Sequence, residues 1–201
     1  MNLLPPARKG YTGTLTSALL QCPAPRNVLR LGNEPHHSSR TAFRSPEQPL
    51  STEQFAAVVK TAPLISVDLV VQNRAGEVLL GLRRNAPGRG YWFVPGGRLF
   101  KNETIEQAIA RVSRSELDLG STESGAATLI GIFEHFYEDN FTGTPGFGTH
   151  YVVMAYSITA NIEITTTLPQ EQHAGYRWLS PSSLAVSRDV HPYSRAYAAH
   201  L

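Results

Sequence analysis

The stretch Gly97-Arg98-Leu99-Phe100-Lys101-Asn102-Glu103-Thr104-Ile105-Glu106-Gln107-Ala108-Ile109-Ala110-Arg111-Val112-Ser113-Arg114-Ser115-Glu116-Leu117-Asp118-Leu119 holds one helix and one anomaly. Ile105, Ala108, Ile109 and Val112 recur at i, i+3, i+4 and i+7, the spacing of a helical stripe turned toward a core. Thr104 and Gln107 stand three residues apart at the head of that stripe, the pattern of a capping box. Glu116 comes eleven positions after Ile105 and, at about 100° per residue, returns to the same stripe. It also lies in the last turn, where the helix dipole disfavours an anion. A carboxylate placed there needs a cation.

Working outward, Gly96-Gly97 follows an aromatic strand predicted over Tyr91 to Pro95. Glycine lacks a Cβ, so backbone can approach a ligand closely at such a turn. A carbonyl from this turn and a Glu carboxylate suit the same hard cation, and Mg²⁺ takes one or two carboxylates plus waters and phosphates. Standing alone, a Gly-Gly pair is a tight turn. Arg98 follows directly, Lys101 is close, and Arg83 and Arg84 end the preceding strand. Arginine forks match phosphate oxygens, although solvated surface cations are the ordinary fate of such residues. Glu103 faces away from Glu116 on the helical wheel and reads as a cap or as the partner of Arg111. Together the spacing Gly97-x5-Glu103-x7-Arg111-x4-Glu116 predicts a metal-assisted phosphate site.

The fold class follows from the elements around this helix. Ser51-Thr52-Glu53 starts a short helix with Phe55, Val58 and Val59 facing inward, and it ends before Pro63. Leu64–Gln72 reads as a strand interrupted by Asp68. Asn73-Arg74-Ala75-Gly76 is turn chemistry, and Glu77–Leu82 returns as the second strand of a hairpin. Ala127–Tyr137 and His150–Ala160 read as further strands, joined by a Gly/Thr-rich loop. Gly175–Leu179 is the last strand. Ser180-Pro181 opens a short helix, and Ser194–Leu201 forms another. Strands, one long helix and more strands predict an α+β sandwich whose mixed sheet is flanked by helices.

Composition sets the bounds. A chain of 201 residues suits one domain of ordinary size. No run of 18 apolar residues exists to span a membrane. Cys22 is the only cysteine, so no internal disulfide forms and the reducing cytoplasm is the expected compartment. Residues 1–48 carry six Lys/Arg against two Glu, a charge of +4, which leaves −2 on the remainder of a chain whose total is +2. Nucleic-acid binding therefore finds no support in the folded part. Six prolines and no sustained period in residues 1–48 predict a disordered N-terminal extension, with the folded domain over 49–201.

Glu171-Gln172-His173 is expected in a loop after Pro169. A histidine titrating near neutrality is the usual general base, and an amide oxygen from Gln172 suits a hard cation; an exposed loop histidine is the plain alternative. His135 and His150 fall in or beside strands and read as satisfied core histidines. Phe136, Tyr137, Phe141, Phe147 and Tyr151 gather around one loop, either to stack a base or sugar or to pack the sheet edge.

The spacing resembles the Nudix box, G-x5-E-x7-R-E-U-x-E-E-x-G-U, in which U is bulky and apolar. Gly97, Glu103, Arg111, Glu116 and Leu119 match it. Val112 stands in place of the Glu after the box Arg, Ser113 at the first apolar place, Ser115 in place of the first paired Glu, and Asp118 in place of the late Gly. Two missing carboxylates leave support for one metal, since each further divalent ion needs compensating negative ligands. This altered box is similar to that of the GDP-mannose mannosyl hydrolases, a branch that breaks the sugar C–O bond. The strings Gly90-Tyr91-Trp92-Phe93-Val94-Pro95-Gly96-Gly97-Arg98, His135-Phe136-Tyr137-Glu138-Asp139-Asn140-Phe141 and Thr149-His150-Tyr151-Val152-Val153 carry the resemblance. So do Glu171-Gln172-His173, Tyr176-Arg177-Trp178-Leu179 and Ser194-Arg195-Ala196-Tyr197, over about Leu50 to Tyr197.

The resemblance implies a Nudix-type α/β/α sandwich and a set of roles. Mg²⁺, or Mn²⁺ with the same oxygen ligands, is held by the Gly96 carbonyl, Glu116 and Gln172. His173 is the general base and Arg98 stabilises the departing diphosphate. Arg83 binds substrate, and Asp68 and Tyr151 lie near the sugar and diphosphate. Phe55, Pro49 and Leu50 belong to an N-terminal region that helps form the site across a homodimer. The implied reaction is hydrolysis of GDP-mannose, with GDP-glucose as a related substrate, to GDP and free sugar with inversion. Cleavage of a P–O bond by a conventional Nudix diphosphatase, and a non-catalytic nucleotide-sugar-binding module, are the alternatives. Asp118 is expected to force a local adjustment at the helix end.

Overall fold

The computed structural model describes residues 50–120, 126–160, 162–164, 168–169 and 171–201. The extension expected over residues 1–48, and Pro49, lie outside the described residues. Helix α1 spans Thr52–Thr61, and the long helix α2 spans Ile105–Leu117. Both begin with the reciprocal capping box: Ser51 with Gln54, and Thr104 with Gln107. The strands are β1 Leu64–Gln72, β2 Val78–Arg83, β3 Trp92–Phe93, β4 Gly96–Arg98, β5 Thr128–Tyr137, β6 Thr149–Thr159 and β7 His173–Leu179. Short helices α3 Pro181–Val186 and α4 Pro192–Ala196 follow, then a 3₁₀ turn over Tyr197–His200.

The strands form one mixed sheet in the order β3-β2-β1-β6-β5. β1 and β6 are parallel over the whole of β1, and the other pairings are antiparallel. β1 divides its second edge between two partners. It meets β2 at Gln72 and Val78, and meets β4 through Ser66–Arg98, Val67–Gly97 and Asp68–Gly96. β2 leaves β1 to pair with β7. The sheet is thus split beside Asp68, and a cleft opens at the split.

Alternate residues of β1 serve opposite faces. Val67, Leu69 and Val71 pack with Ala108, Val112 and Leu117 of α2 and with Tyr156 and Ile158 of β6. Val70 packs on the other face with Val78, Leu80 and Val94 under Leu184, Val190 and Tyr197. Helices therefore cover both faces of the sheet, as expected.

Two local expectations are corrected. Gly96 and Gly97 lie in a short strand and not in a turn, set opposite Asp68 and Val67 along the edge of β1 that β2 abandons. The helix end needs no adjustment: Asp118 adopts the left-handed conformation itself, at φ 53° and ψ 29°, and its amide donates to Arg114 and Ser113 carbonyls. Aspartate tolerates this region better than most residues, at a cost of about 1 kcal/mol. Leu119 is buried beyond it and donates to the Ser113 carbonyl at 3.2 Å, so the capping motif closes as a glycine would close it.

Candidate functional site

Glu116 lies where the periodicity placed it, in the last turn of α2, and is 3% exposed. Its Oε2 accepts a hydrogen bond from the Gly96 amide at 3.2 Å and lies 3.0 Å from His173 Nε2. Among the described residues its carboxyl has no Lys or Arg partner. Tyr176 of β7 ties the same helix end in place, its hydroxyl lying 2.8 Å from the Glu116 carbonyl oxygen and 2.7 Å from that of Pro169. β4, α2 and β7 thus converge on one carboxylate.

His173 opens β7 and is buried, so it is not the loop residue expected. The strand starts earlier than its apolar pattern suggests because Arg83 of β2 pairs with His173 past an irregularity in register. Among the described residues its buried Nδ1 has no hydrogen-bond partner. Gln172 is exposed at the cleft, its carbonyl accepting from the Arg84 amide at 2.9 Å.

The cleft encloses about 270 Å³ and is lined by Phe55, Asp68, Arg83, Gly96, Arg98, Glu116, Tyr151, Gln172 and His173. Of the site residues named from sequence, every one among the described residues is there except Leu50. Leu50 is 44% exposed and lines no part of the cleft. Phe55 covers Arg98 of its own chain, with the guanidinium 4.0 Å from the ring centre, and the Phe100 ring lies 5.1 Å from the same group. Phe141 packs against Phe55 at 4.6 Å. Two aromatic faces thereby restrict a long cationic side chain that solvent would leave mobile. Burial, chiefly, and the nearby Arg111 hold the Arg98 pKa below its usual range.

Glu103 serves this arrangement and not the cation. It grips Arg111 through two bonds of 2.6 and 2.8 Å and accepts from the Phe100 amide at 2.9 Å. Arg111 in turn donates to the Arg98 carbonyl at 2.8 Å. Glu103 and Arg111, both preserved in the box, thus hold the chain from Arg98, at the end of β4, to Phe100.

Asp68 faces the cleft from β1, and a Cβ on Gly96 would collide with its Oδ1. Burial pushes its carboxyl up to about 7, against the opposing effects of the Tyr197 hydroxyl and Arg83. Tyr197 donates to Asp68 Oδ2 at 2.7 Å. His135 also lines the cleft and is 5% exposed, 3.5 Å from the Tyr197 hydroxyl and stacked on Tyr193 at 4.0 Å. It is the buried, partnered strand histidine expected, and it borders the cleft as well. Burial and His191 press its pKa down to about 4, so it is neutral at physiological pH. Its place in the string His135-Phe136-Tyr137 was the available signal. His150 stacks on Phe136 at 4.3 Å and stands outside this cleft.

These shifts have opposite signs in stability. A carboxyl raised to about 7 costs stability as pH rises from its unfolded value of 3.8 through 7. His135 and His191, pressed down to about 4, cost stability as pH falls from 6.5 through 4. The wild-type profile mixes the two, but comparison with Asp68→Asn isolates the first. In urea titrations with chelator, the stability of wild type relative to Asp68→Asn should fall between pH 4.5 and 8 by a quantity on the order of 3 kcal/mol. A flat difference would mean that Asp68 is ionised throughout.

The donor set suits a hard divalent cation: a buried carboxylate with no Lys or Arg partner among the described residues, a side-chain amide at the cleft and a glycine strand that admits close approach. Comparisons with known proteins agree with the fold and the box. The NUDIX domain family model matches residues 62–201. The chain is 37% identical over 162 residues to the low-salt glycan biosynthesis protein Agl8 of Haloferax volcanii, covering 79% of this chain and 94% of that one. The MutT NUDIX hydrolase of Burkholderia pseudomallei superposes with a TM-score of 0.57 at 23% identity, covering 69% of this chain and 98% of that one. The MutT protein of Methanosarcina mazei Go1 gives 0.51 at 21% identity, covering 68% and 91%. With the box residues gathered at one cleft and the domain matched over most of its length, this chain belongs to the Nudix hydrolase family.

Proposed function

We propose that this Nudix hydrolase splits GDP-mannose, or a GDP-sugar close to it such as GDP-glucose, into GDP and the free sugar. Water attacks the anomeric carbon, GDP leaves with the oxygen that joined it to the sugar, and the configuration inverts. The observation that carries this reading is the isolation of Glu116. Val112 and Ser115 occupy places where the family box has carboxylates, and the helix offers a single acidic side chain to the cleft with His173 at 3.0 Å. Attack at phosphorus by the usual Nudix route draws on several carboxylates and more than one metal. The name of the Haloferax relative, a glycan biosynthesis protein, fits an activated-sugar substrate.

Glu116, the Gly96 carbonyl and Gln172 would hold Mg²⁺, or Mn²⁺, with the substrate diphosphate. Once bound, the ion supplies neutralisation of the charge that grows on the leaving diphosphate. Arg98, held against Phe55 and Phe100, adds fixed positive charge to the same group. Arg83 and Tyr151 bind the substrate, and Asp68 faces its sugar. His173 accepts the proton of the attacking water at Nε2. That role requires Glu116 to be engaged elsewhere, because a carboxylate committed to a cation leaves Nε2 free for water. A homodimer, with residues near Leu50 contributed between copies, belongs to the same proposal.

Hydrolysis in ¹⁸O-water tests it. Carbon attack places the label in the released sugar, with GDP unlabelled. Label in a nucleoside or sugar phosphate would reject the proposal in favour of a Nudix diphosphatase.

A further inference from the structure

Gly81 lies inside β2, between β3, where it faces Phe93, and β7, where it faces Tyr176. A glycine in a paired strand is unfavourable: it leaves a gap in side-chain packing and loses more backbone freedom on folding than any other residue. Its neighbours Leu79 and Leu80 are fully buried and follow the ordinary pattern of a core strand. Nor does backbone conformation call for glycine, because Gly81 is absent from the residues at positive φ. What calls for it is space. A Cβ built at position 81 would meet three atoms of the His173 ring, Nδ1 at 2.3 Å, Cγ at 2.5 Å and Cε1 at 2.8 Å.

The imidazole rests on the bare backbone of β2. Among the described residues no hydrogen bond holds it on that side, since Nδ1 finds no partner there. On the other side Nε2 is already 3.0 Å from Glu116, so the ring cannot retreat toward the carboxylate. The Tyr176 ring closes a third side at 5.3 Å. Steric contact therefore sets the ring's position, and the bare backbone at Gly81 forms one wall of its seat. We propose that Gly81 is a positioning residue: its missing side chain is the seat in which His173 presents Nε2 to Glu116. The catalytic part of this inference rests on the function proposed above; the packing part does not.

A double-mutant cycle separates the two. Gly81→Ala in the otherwise native chain should lower the folding equilibrium constant roughly 10- to 100-fold, the usual penalty of overpacking. In a His173→Ala background the colliding ring is gone, and the same substitution should cost nothing measurable in urea midpoint. Should Gly81→Ala alone fail to fold, the double variant should still fold as well as His173→Ala. Equal penalties in both backgrounds would overturn the inference. In the folded single variant, long-range ¹H–¹⁵N spectra should show the His173 ring-nitrogen signals displaced, and turnover of GDP-mannose with Mg²⁺ should fall at least 10-fold in kcat with KM nearly unchanged. An unmoved imidazole signal would also overturn it. If His173→Ala keeps full activity, the proposed function falls, and the stability cycle still decides the packing claim.

Discussion

Glu116→Gln should abolish turnover while leaving the fold intact. Glutamine has the shape of glutamate and can still accept from the Gly96 amide, as Oε2 does now at 3.2 Å. It cannot supply the negative charge that a divalent ion requires. Loss of the charge-neutralising step is worth several kcal/mol, so kcat should drop roughly 10³-fold. Stability should move the other way or not at all. Glu116 is a buried anion near the negative end of a helix, with an imidazole as its only ionisable bonding partner among the described residues. In metal-free buffer the variant should therefore melt no lower than wild type. Added Mg²⁺ should raise the melting temperature of wild type through linkage and leave Glu116→Gln unmoved. A variant that still responded to Mg²⁺ would place the ion elsewhere.

His173→Ala should lower kcat by about 10²–10⁴-fold, the range for loss of a general base, with little change in KM. The ring is 4% exposed, stands against Glu116 and is one of many residues lining the cleft, so substrate binding should survive its removal. The vacated seat over Gly81 has room for free imidazole, and adding imidazole to the variant should restore part of the rate. A rise in KM with kcat preserved would recast His173 as a binding residue. Full activity in the alanine variant would end its assignment as base.

Much of the site was legible because its chemistry is written locally. The anion on the apolar stripe of α2, the glycine pair and the oxygen-rich Gln172 each announce themselves within a few residues. Glu103 and Arg111 also follow from spacing alone, and the structure shows them bonded. Other parts had no local signal. Gly81 looks like an unremarkable glycine in a hairpin strand. Asp68 reads as an interruption of β1, and nothing near it in sequence points to Tyr197, 129 residues away. His135 carries the alternation of a core strand, and apart from the string His135-Phe136-Tyr137 nothing near it places it at the cleft. His173 was expected in a loop because its neighbours are polar; pairing with Arg83 made it strand.

By itself the sequence determined which segments become helix and strand, that α2 carries a lone buried carboxylate, and that the site's donors are oxygens and arginines. Hydrophobic period, caps and glycines act over a few residues, so the chain states them directly. Only the tertiary structure decided that Glu116, Gly96 and His173 meet, and that Gly81 and Asp68 border them. Those meetings depend on strand order, on register, and on β1 sharing one edge between β2 and β4. Such pairings join residues 20 to 129 positions apart. They are settled by which faces bury together across the whole sheet, a condition that no local period records.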